Sequence, residues 1–257
     1  MTKQFYDESM VRQQEKVAAT PDMVAQRKIM LNQLALKEGE FVLDIGSGSG
    51  IFAREMLEVI GDSGHVCGVD SVESMVNISR GICPGGEFLR GDATELPVED
   101  STYDVVTASQ LLCFVPDVAK AISEMFRVLK PGGRLVILDS DWDSLVWNCR
   151  NRELMVRVIE MMTGPYADPH VPRTLSQCLT TTGFKITGRH SYTVLNWEPN
   201  PDSYSVHLVG FIKPMMEASN EFTMEDWEAW DADQKETALA GQYMFSVNRY
   251  IFNAEKP

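Results

Sequence analysis

The sequence predicts an α/β fold with a Rossmann-like, doubly wound parallel sheet, and three observations support this class. From Gly39 onward, short β-rich runs alternate with longer segments of helical periodicity. The β-rich runs are apolar almost throughout, as strands buried on both faces are. Clusters of glycine and proline separate the segments where turns are needed. A chain of 257 residues, 44% of them hydrophobic, is long enough to bury such a core.

Five predicted strands and three predicted helices form the first half of this sheet. The predicted strands are 41–45, 65–69, 87–89, 103–107 and 134–138. Apolar residues recur at helical spacing in 51–60, 72–80 and 118–129. Helices that connect successive strands in this way are typical of a parallel sheet covered on both faces.

After Asp139 the alternation ends and helices dominate. We expect a helix over 145–162, a proline-rich loop over 164–172 and a helix over 173–181. Strands follow near 184–190 and 243–254, separated by about fifty residues. Because that interval is too long for a plain loop, we interpret 199–240 as a helical insertion that forms a lid over the ligand end of the sheet. A helical pair that packs on the sheet edge is the alternative.

The chain is predicted to be a single domain over residues 1–257. Residues 1–37 form an N-terminal helical cap, and residues 38–140 form a cofactor-binding core. Residues 141–257 form the substrate-side half, which contains the insertion at about 199–240.

Composition narrows the classes of partner. A formal net charge of −14 repels phosphate backbones, so we expect no nucleic-acid partner. No stretch approaches the roughly 18 apolar residues of a membrane span, and the first ten residues lack the pattern of a signal peptide. We therefore expect a cytoplasmic protein.

Its five scattered cysteines argue against a disulfide framework or a zinc site.

A glycine-rich turn over 42–50 joins the first strand to the first helix. Gly46, Gly48 and Gly50 allow the backbone to approach a ligand closely. Taken alone, the turn leaves a dinucleotide enzyme nearly as plausible, although Ile51 stands where that fingerprint requires glycine. Asp44 disfavours a dinucleotide, because its carboxylate can hold the amides of the turn or bind a cationic ammonium but would repel a pyrophosphate.

Two acidic residues follow the next strands. Asp70 ends the second strand, where a carboxylate can accept hydrogen bonds from both hydroxyls of a ribose. Asp92 follows the third strand, where it can accept from the amine of an adenine while the Ala93 amide donates to the ring. For Asp92, a turn-capping role is an equal alternative.

These motifs resemble the class I S-adenosylmethionine-dependent methyltransferases. The resemblance rests on 42–50, Asp70 and three further segments, 91–97, 103–106 and 127–133, and it is specific across 36–138. Within that class the chain is most similar to the group of ubiquinone and menaquinone C-methyltransferases and natural-product tailoring enzymes. The resemblance implies a seven-stranded sheet of order 3-2-1-4-5-7-6, whose last strand, here 243–254, is antiparallel.

The resemblance also implies which residues bind S-adenosylmethionine. The implied residues are Asp44, Gly46, Ser47, Gly48 and Gly50 at the methionine part, Asp70 at the ribose, Ser71, Val72, Asp92 and Ala93 at the adenine, and Ser109, Gln110 and Leu111 beside the methionine part. Arg27, on a helix before the first strand, can reach the cofactor carboxylate as in similar enzymes. A charge that faces solvent is the alternative for Arg27.

The substrate side is less specific. Methyl transfer from a sulfonium is an in-line displacement that needs alignment and exclusion of water, so a dedicated catalytic residue is not obligatory. If the acceptor must lose a proton, the candidates for general base are His170, His190, His207 and Tyr166.

Asp139, Asp141 and Asp143 alternate after the fifth strand, which is compatible with magnesium ligands. We favour N-caps for the following helix and predict no metal site, because no second cluster supplies the missing ligands. Aromatic residues from several segments are candidates for an apolar acceptor pocket. They are Phe5, Tyr6, Trp142, Trp147, Trp197, Tyr204, Phe211 and Phe222.

Three functional hypotheses remain at this level. The first is a methyltransferase that acts on a small-molecule acceptor. The second is a dinucleotide-dependent oxidoreductase, which Ile51 and Asp44 disfavour. The third is a non-catalytic S-adenosylmethionine-binding partner subunit. The nature of the methylated atom and the oligomeric state, a homodimer included, stay open.

Overall fold

The computed structural model describes residues 8–257, with side chains from Arg12 onward. Residues 1–7 of the predicted cap, with the predicted pocket residues Phe5 and Tyr6, lie outside the described residues. Seven strands form one sheet of order β3-β2-β1-β4-β5-β7-β6. Their bounds are β1 Phe41–Ile45, β2 His65–Asp70, β3 Glu87–Arg90, β4 Tyr103–Ser109, β5 Leu129–Trp147, β6 Lys185–Asn196 and β7 Phe245–Glu255. Strand β7 runs antiparallel to β5 and β6, so the predicted sheet is confirmed.

The helices of the described chain surround this sheet. Their bounds are α1 Glu8–Ala19, α2 Pro21–Leu34, α3 Ile51–Ile60, α4 Glu73–Ile82, α5 Val118–Val128, α6 Arg152–Thr163, α7 Pro172–Thr182, α8 Tyr204–Ala218 and α9 Met224–Leu239. A short 3₁₀ helix, Leu112–Phe114, follows β4. None of the helices within residues 8–257 combines the length and hydropathy that crossing a membrane requires.

The sheet is buried on both faces because its strand residues alternate between two apolar cores. Leu43 and Ile137 belong to the core that includes residues of α5 and α7. Val42 and Val136 belong to the core that includes residues of α2 and α3. Burial on both faces explains why the strands are apolar almost throughout.

A third core packs the predicted insertion against β5 and β7. Trp147 contacts Trp230 of α9 and Phe245 of β7 edge-on, with ring centroids 5.4 and 5.0 Å apart. Trp230 is only 2% exposed. The predicted insertion is therefore two packed helices, α8 and α9. Trp197, by contrast, is 64% exposed.

The predicted helix over 145–162 is wrong in its first part. Strand β5 continues to Trp147, because Val146 and Trp147 pair with Ser246 and Phe245 of β7. Helix α6 begins only at Arg152, and Asn151 caps it by accepting a 3.1 Å hydrogen bond from the Leu154 amide. The apolar spacing of this segment fits a helix, but a neighbouring strand from the end of the chain determines its first residues.

Candidate functional site

The carboxyl ends of β1, β2 and β4 lie side by side. Ile45 is in register with Val69 of β2 and with Ala108 of β4. The strand order reverses between β1 and β4, and this is the position where open α/β sheets bind ligands. The glycine turn, Asp70 and the segment after Ser109 therefore meet at one edge of the sheet.

The three glycines of the turn have different roles. All have positive φ angles: +73° at Gly46, +53° at Gly48 and +79° at Gly50. A Cβ atom at Gly46 would lie 2.9 Å from Cδ1 of Leu111, and one at Gly50 would lie 2.7 Å from Cβ of Ser79. A Cβ at Gly48 would meet no atom within 4 Å. Gly46 and Gly50 are thus needed for packing, whereas Gly48 borders open space.

Asp70 connects the turn to the end of β2. Its Oδ2 accepts a 2.9 Å hydrogen bond from the Gly48 amide, and its Oδ1 accepts one of 2.9 Å from the Val72 amide. Burial raises the pKa of Asp70, although these amide bonds oppose the shift. Its carboxylate therefore positions the glycine backbone as well as facing the predicted ribose position.

Asp44 is a buried carboxyl group beneath the turn. It is 3% exposed, and its side chain forms no hydrogen bond within the described residues. Burial, and then the charge of Asp70, raises the pKa of Asp44 to about 8. A buried, unpartnered carboxylate is unfavourable unless a cation compensates it. Asp44 and the open space at Gly48 thus fit a cationic ligand such as S-adenosylmethionine.

The segment after β4 carries backbone strain. Gln110 has a φ of +54°, which is uncommon for a residue other than glycine. Its amide donates to the Leu138 carbonyl at 2.8 Å, and its Oε1 accepts from the Ser140 hydroxyl at 2.8 Å. Its Nε2 is buried without a partner. Residues whose strained backbone is held in place by surrounding contacts cluster at functional sites.

At the predicted adenine side, Asp92 caps its own turn. Its Oδ1 accepts from the amide and the hydroxyl of Thr94 at 2.8 and 2.7 Å, and these bonds lower its pKa. Ala93 is 9% exposed and belongs to the core. The turn-capping alternative is therefore present in the structure. A role for Asp92 in adenine binding stays a prediction.

Ser47 and Arg27 are engaged with the protein itself. The Ser47 hydroxyl is buried, beside Gly68 of β2, and lacks a hydrogen-bond partner. Arg27 donates through Nε to both carboxylate oxygens of Glu55, at 2.9 and 3.0 Å, and through Nη1 to the Ala18 carbonyl. Its side chain is 13% exposed, so the solvent-facing alternative is wrong. Contact with the cofactor carboxylate stays a prediction.

Asp139, Asp141 and Asp143, predicted to follow the fifth strand, cap no helix, because β5 continues through them. Instead, Arg173 of α7 binds Asp141 at 2.7 Å and Asp143 at 2.8 Å. His170 places Nδ1 3.2 Å from Asp141. Ligand atoms of Asp141, Asp143 and His170 lie within 4.8 Å of one another, but the Arg173 guanidinium already supplies the balancing positive charge.

The candidate bases differ in position. Tyr166 is stacked on Trp142, with ring centroids 5.1 Å apart, and burial raises its pKa well above the ordinary value. Its hydroxyl therefore stays protonated at neutral pH and is not available to accept a proton. His190 is exposed on the edge strand β6. Three strand spacings separate β6 from β4, which corresponds to a distance of about 14 Å between the two strands. His170, held by Asp141, lies in the loop that contacts Trp142 through Pro169.

Two buried ionisable residues were not predicted as site residues. Asp139 is fully buried and accepts a 3.2 Å bond from the Cys113 amide, and burial raises its pKa to about 6. Arg249 of β7 is 2% exposed. The sequence feature that could have identified Arg249 is its position within an otherwise apolar predicted strand, because a charged residue buried there needs a partner.

Comparison with known proteins agrees with this geometry. Residues 43–137 match the model of a methyltransferase domain family. The ubiquinone/menaquinone biosynthesis C-methyltransferase UbiE of Vibrio campbellii is 41% identical over 109 residues, which are 40% of this chain and 42% of that protein. The chain thus matches less than half the length of this relative.

Solved structures show the same fold at lower identity. A Bacillus halodurans protein assigned to the methyltransferases superposes with a TM-score of 0.65 at 20% identity, over 91% of this chain and 99% of that one. Phosphoethanolamine N-methyltransferase 2 of Haemonchus contortus, in complex with S-adenosylmethionine, gives a TM-score of 0.63 at 21% identity, over 98% of this chain and 58% of that one.

The sheet order and the glycine turn define a class I methyltransferase fold. The segment 43–137 is similar to a methyltransferase domain family, and 109 residues of the chain are similar to the UbiE C-methyltransferases.

Proposed function

We propose that this chain transfers the methyl group of S-adenosylmethionine to a small-molecule acceptor. The observation that carries the proposal is Asp44, an unpartnered buried carboxyl beneath a turn that is open at Gly48. Asp44 compensates a positive charge of the cofactor, and the Gly48 backbone allows its close approach. Asp70 accepts from the ribose hydroxyls, while Asp92, Ala93, Ser71 and Val72 enclose the adenine.

In this proposal the methyl acceptor binds beside Gln110, on the side that faces the predicted substrate-side half, residues 141–257. The bound cofactor supplies an electrophilic methyl group on a sulfonium. The protein aligns the acceptor and excludes water, and these two effects provide most of the acceleration in such a displacement. Helices α8 and α9 and the Trp142–Tyr166 stack supply the enclosing surface. If the acceptor must lose a proton, His170 takes it, oriented by Asp141.

A small molecule fits this site better than a polyanion. The net charge of −14 disfavours phosphate backbones, and the Trp142–Tyr166 stack favours an apolar or aromatic acceptor.

Calorimetric titration separates this function from that of a dinucleotide enzyme. We expect S-adenosylmethionine to bind and NAD not to bind. Incubation with methyl-labelled cofactor and a metabolite extract should then yield a labelled small molecule. Binding of NAD alone would contradict the proposal, and cofactor binding without labelled product across broad extracts would favour a non-catalytic subunit.

Substitution of Asp70 by alanine is expected to weaken S-adenosylmethionine binding by about 1–3 kcal/mol, because hydrogen bonds to a charged acceptor are lost. Calorimetry measures this change directly. Asp62→Ala, in the exposed turn before β2, removes the same charge away from the site and should bind normally. Equal affinities for the two variants would contradict the placement of the ribose.

A further inference from the structure

Arg249 is a buried cation without an anionic partner. Its Nη1 donates to Oε1 of Gln26 and, at 3.1 Å, to Sδ of Met23. Its Nε has no acceptor, and it forms no ion pair within the part of the chain that the structure describes. Burying an unpaired charge is strongly unfavourable, so such groups are retained where a ligand or partner completes them.

Two more buried donors near Arg249 lack acceptors. Arg249 is in register with Ser140 of β5, and Ser140 donates to Gln110, whose Nε2 has no partner. Trp142 lies two residues beyond Ser140 on the same strand, and its Nε1 has no partner either. Three unsatisfied donors around the ends of β4, β5 and β7 indicate a ligand rich in acceptor oxygens, since buried donors are almost always paired.

The surroundings of these donors are aromatic. The Arg249 guanidinium carbon lies 4.8 Å from the centre of the Tyr204 ring. Tyr166 lies within range of the Arg249 charge and is stacked on Trp142. The rings provide a flat apolar surface without charge. The buried carboxyl of Asp139 acts on the same Tyr166, but it accepts from the Cys113 and Ser140 amides and forms no ion pair with Arg249 within the described residues. An anionic ligand would therefore supply the partner that Arg249 lacks.

The distance to the cofactor limits the size of that ligand. Two strand spacings separate Arg249 on β7 from β4, which corresponds to about 10 Å. The methionine part of the cofactor is proposed at the end of β4. A molecule that reaches from Arg249 to the methyl group therefore has the length of a small aromatic acid.

We propose that Arg249 binds the carboxylate of the methyl acceptor, so that the acceptor is an aromatic or otherwise apolar carboxylic acid. The inference rests on the proposed methyl transfer. A guanidinium binds a planar carboxylate through two parallel hydrogen bonds. The apolar body of the acid packs against Trp142 and Tyr166, and burial below α2 and α8 shields the complex from water.

The test compares acids with their neutral amides. Wild-type protein saturated with S-adenosylhomocysteine is titrated with benzoate, phenylacetate, cinnamate and indole-3-acetate, and with the four primary amides. We expect at least one acid to bind ten or more times tighter than its amide, because charge-assisted hydrogen bonds are the stronger ones. Arg249→Met should reduce that ratio to about one. Arg189→Met, which removes an exposed arginine of β6, should preserve it.

Three results would overturn the inference. The first is that each acid and its amide bind wild-type protein with equal affinity in all four pairs. The second is an acid-to-amide affinity ratio that is unchanged in Arg249→Met. The third is a tenfold loss of S-adenosylmethionine affinity in that variant, which would assign Arg249 to the cofactor. If Arg249→Met does not fold, Arg249→Lys replaces it and should lower acid affinity at least threefold without changing amide affinity. Titration of wild-type protein with S-adenosylmethionine alone tests the proposed function separately.

Discussion

Replacement of Asp44 by asparagine is expected to stabilise the cofactor-free protein at pH 9 by as much as about 5 kcal/mol. The pKa of Asp44 is about 8 in the folded protein, well above its ordinary value of 3.8. The folded state therefore retains a proton that the unfolded state releases, and wild-type stability falls as the pH rises from about 4 to about 8. Asparagine does not titrate, so the variant escapes this loss.

Urea unfolding at pH 5, 7 and 9 without cofactor measures the effect. The stability difference between Asp44→Asn and wild type should be small at pH 5, intermediate at pH 7 and largest at pH 9. Asp62→Asn, at an exposed position, should show no such trend. A difference that is constant across the three pH values would show that Asp44 is not the titrating group.

The same variant should bind S-adenosylmethionine at least tenfold more weakly, because the charge that compensates the cofactor is lost. A variant that is more stable but binds less well is typical of a functional residue that is strained in the free protein. Calorimetry at pH 9, where wild-type Asp44 is ionised, provides the comparison. Equal affinities would remove Asp44 from the cofactor site.

Substitution of Gly48 by alanine is the second change for which we expect a large effect. The backbone at Gly48 has a φ of +53°, so any side chain there is strained by about 1 kcal/mol. The added methyl group meets no protein atom within 4 Å, but it enters the space in which we propose that the cofactor binds. We expect cofactor affinity to fall at least tenfold, while stability decreases by only about 1 kcal/mol.

Gly132 provides a matched control. Its φ is +77°, and a Cβ atom there would also meet no atom within 4 Å. It lies in the turn at the start of β5, opposite the carboxyl ends of the parallel strands. Gly132→Ala should therefore lose similar stability in urea unfolding but bind cofactor normally. Equal losses of affinity in the two variants would show that Gly48 acts only through the backbone.

The sequence predicted much of the fold because its strands are continuous apolar segments bounded by turn residues. Strand β1 and helix α3 begin and end where the sequence predicts. The prediction was wrong where the pairing partner is distant in sequence: Trp147 belongs to β5 because it pairs with Phe245. Local periodicity contains no information about that partner.

The same distinction applies to the site. Gly48 and Asp70 were identified from sequence because turn chemistry and strand ends are local features, and the structure joins them by a hydrogen bond. By contrast, Asp141 pairs with Arg173 across thirty-two positions, and Asp143 does not cap a helix.

By itself, the sequence determined the fold class and the glycine turn and predicted the cofactor, since each inference depends on residues that are close along the chain. Only the tertiary structure decided that Asp44 and Arg249 are buried without an oppositely charged partner among the described residues. Burial and pairing depend on which distant segments fold over a residue. For Arg249 those segments include α2 and the start of α8, which contribute Gln26 and Tyr204.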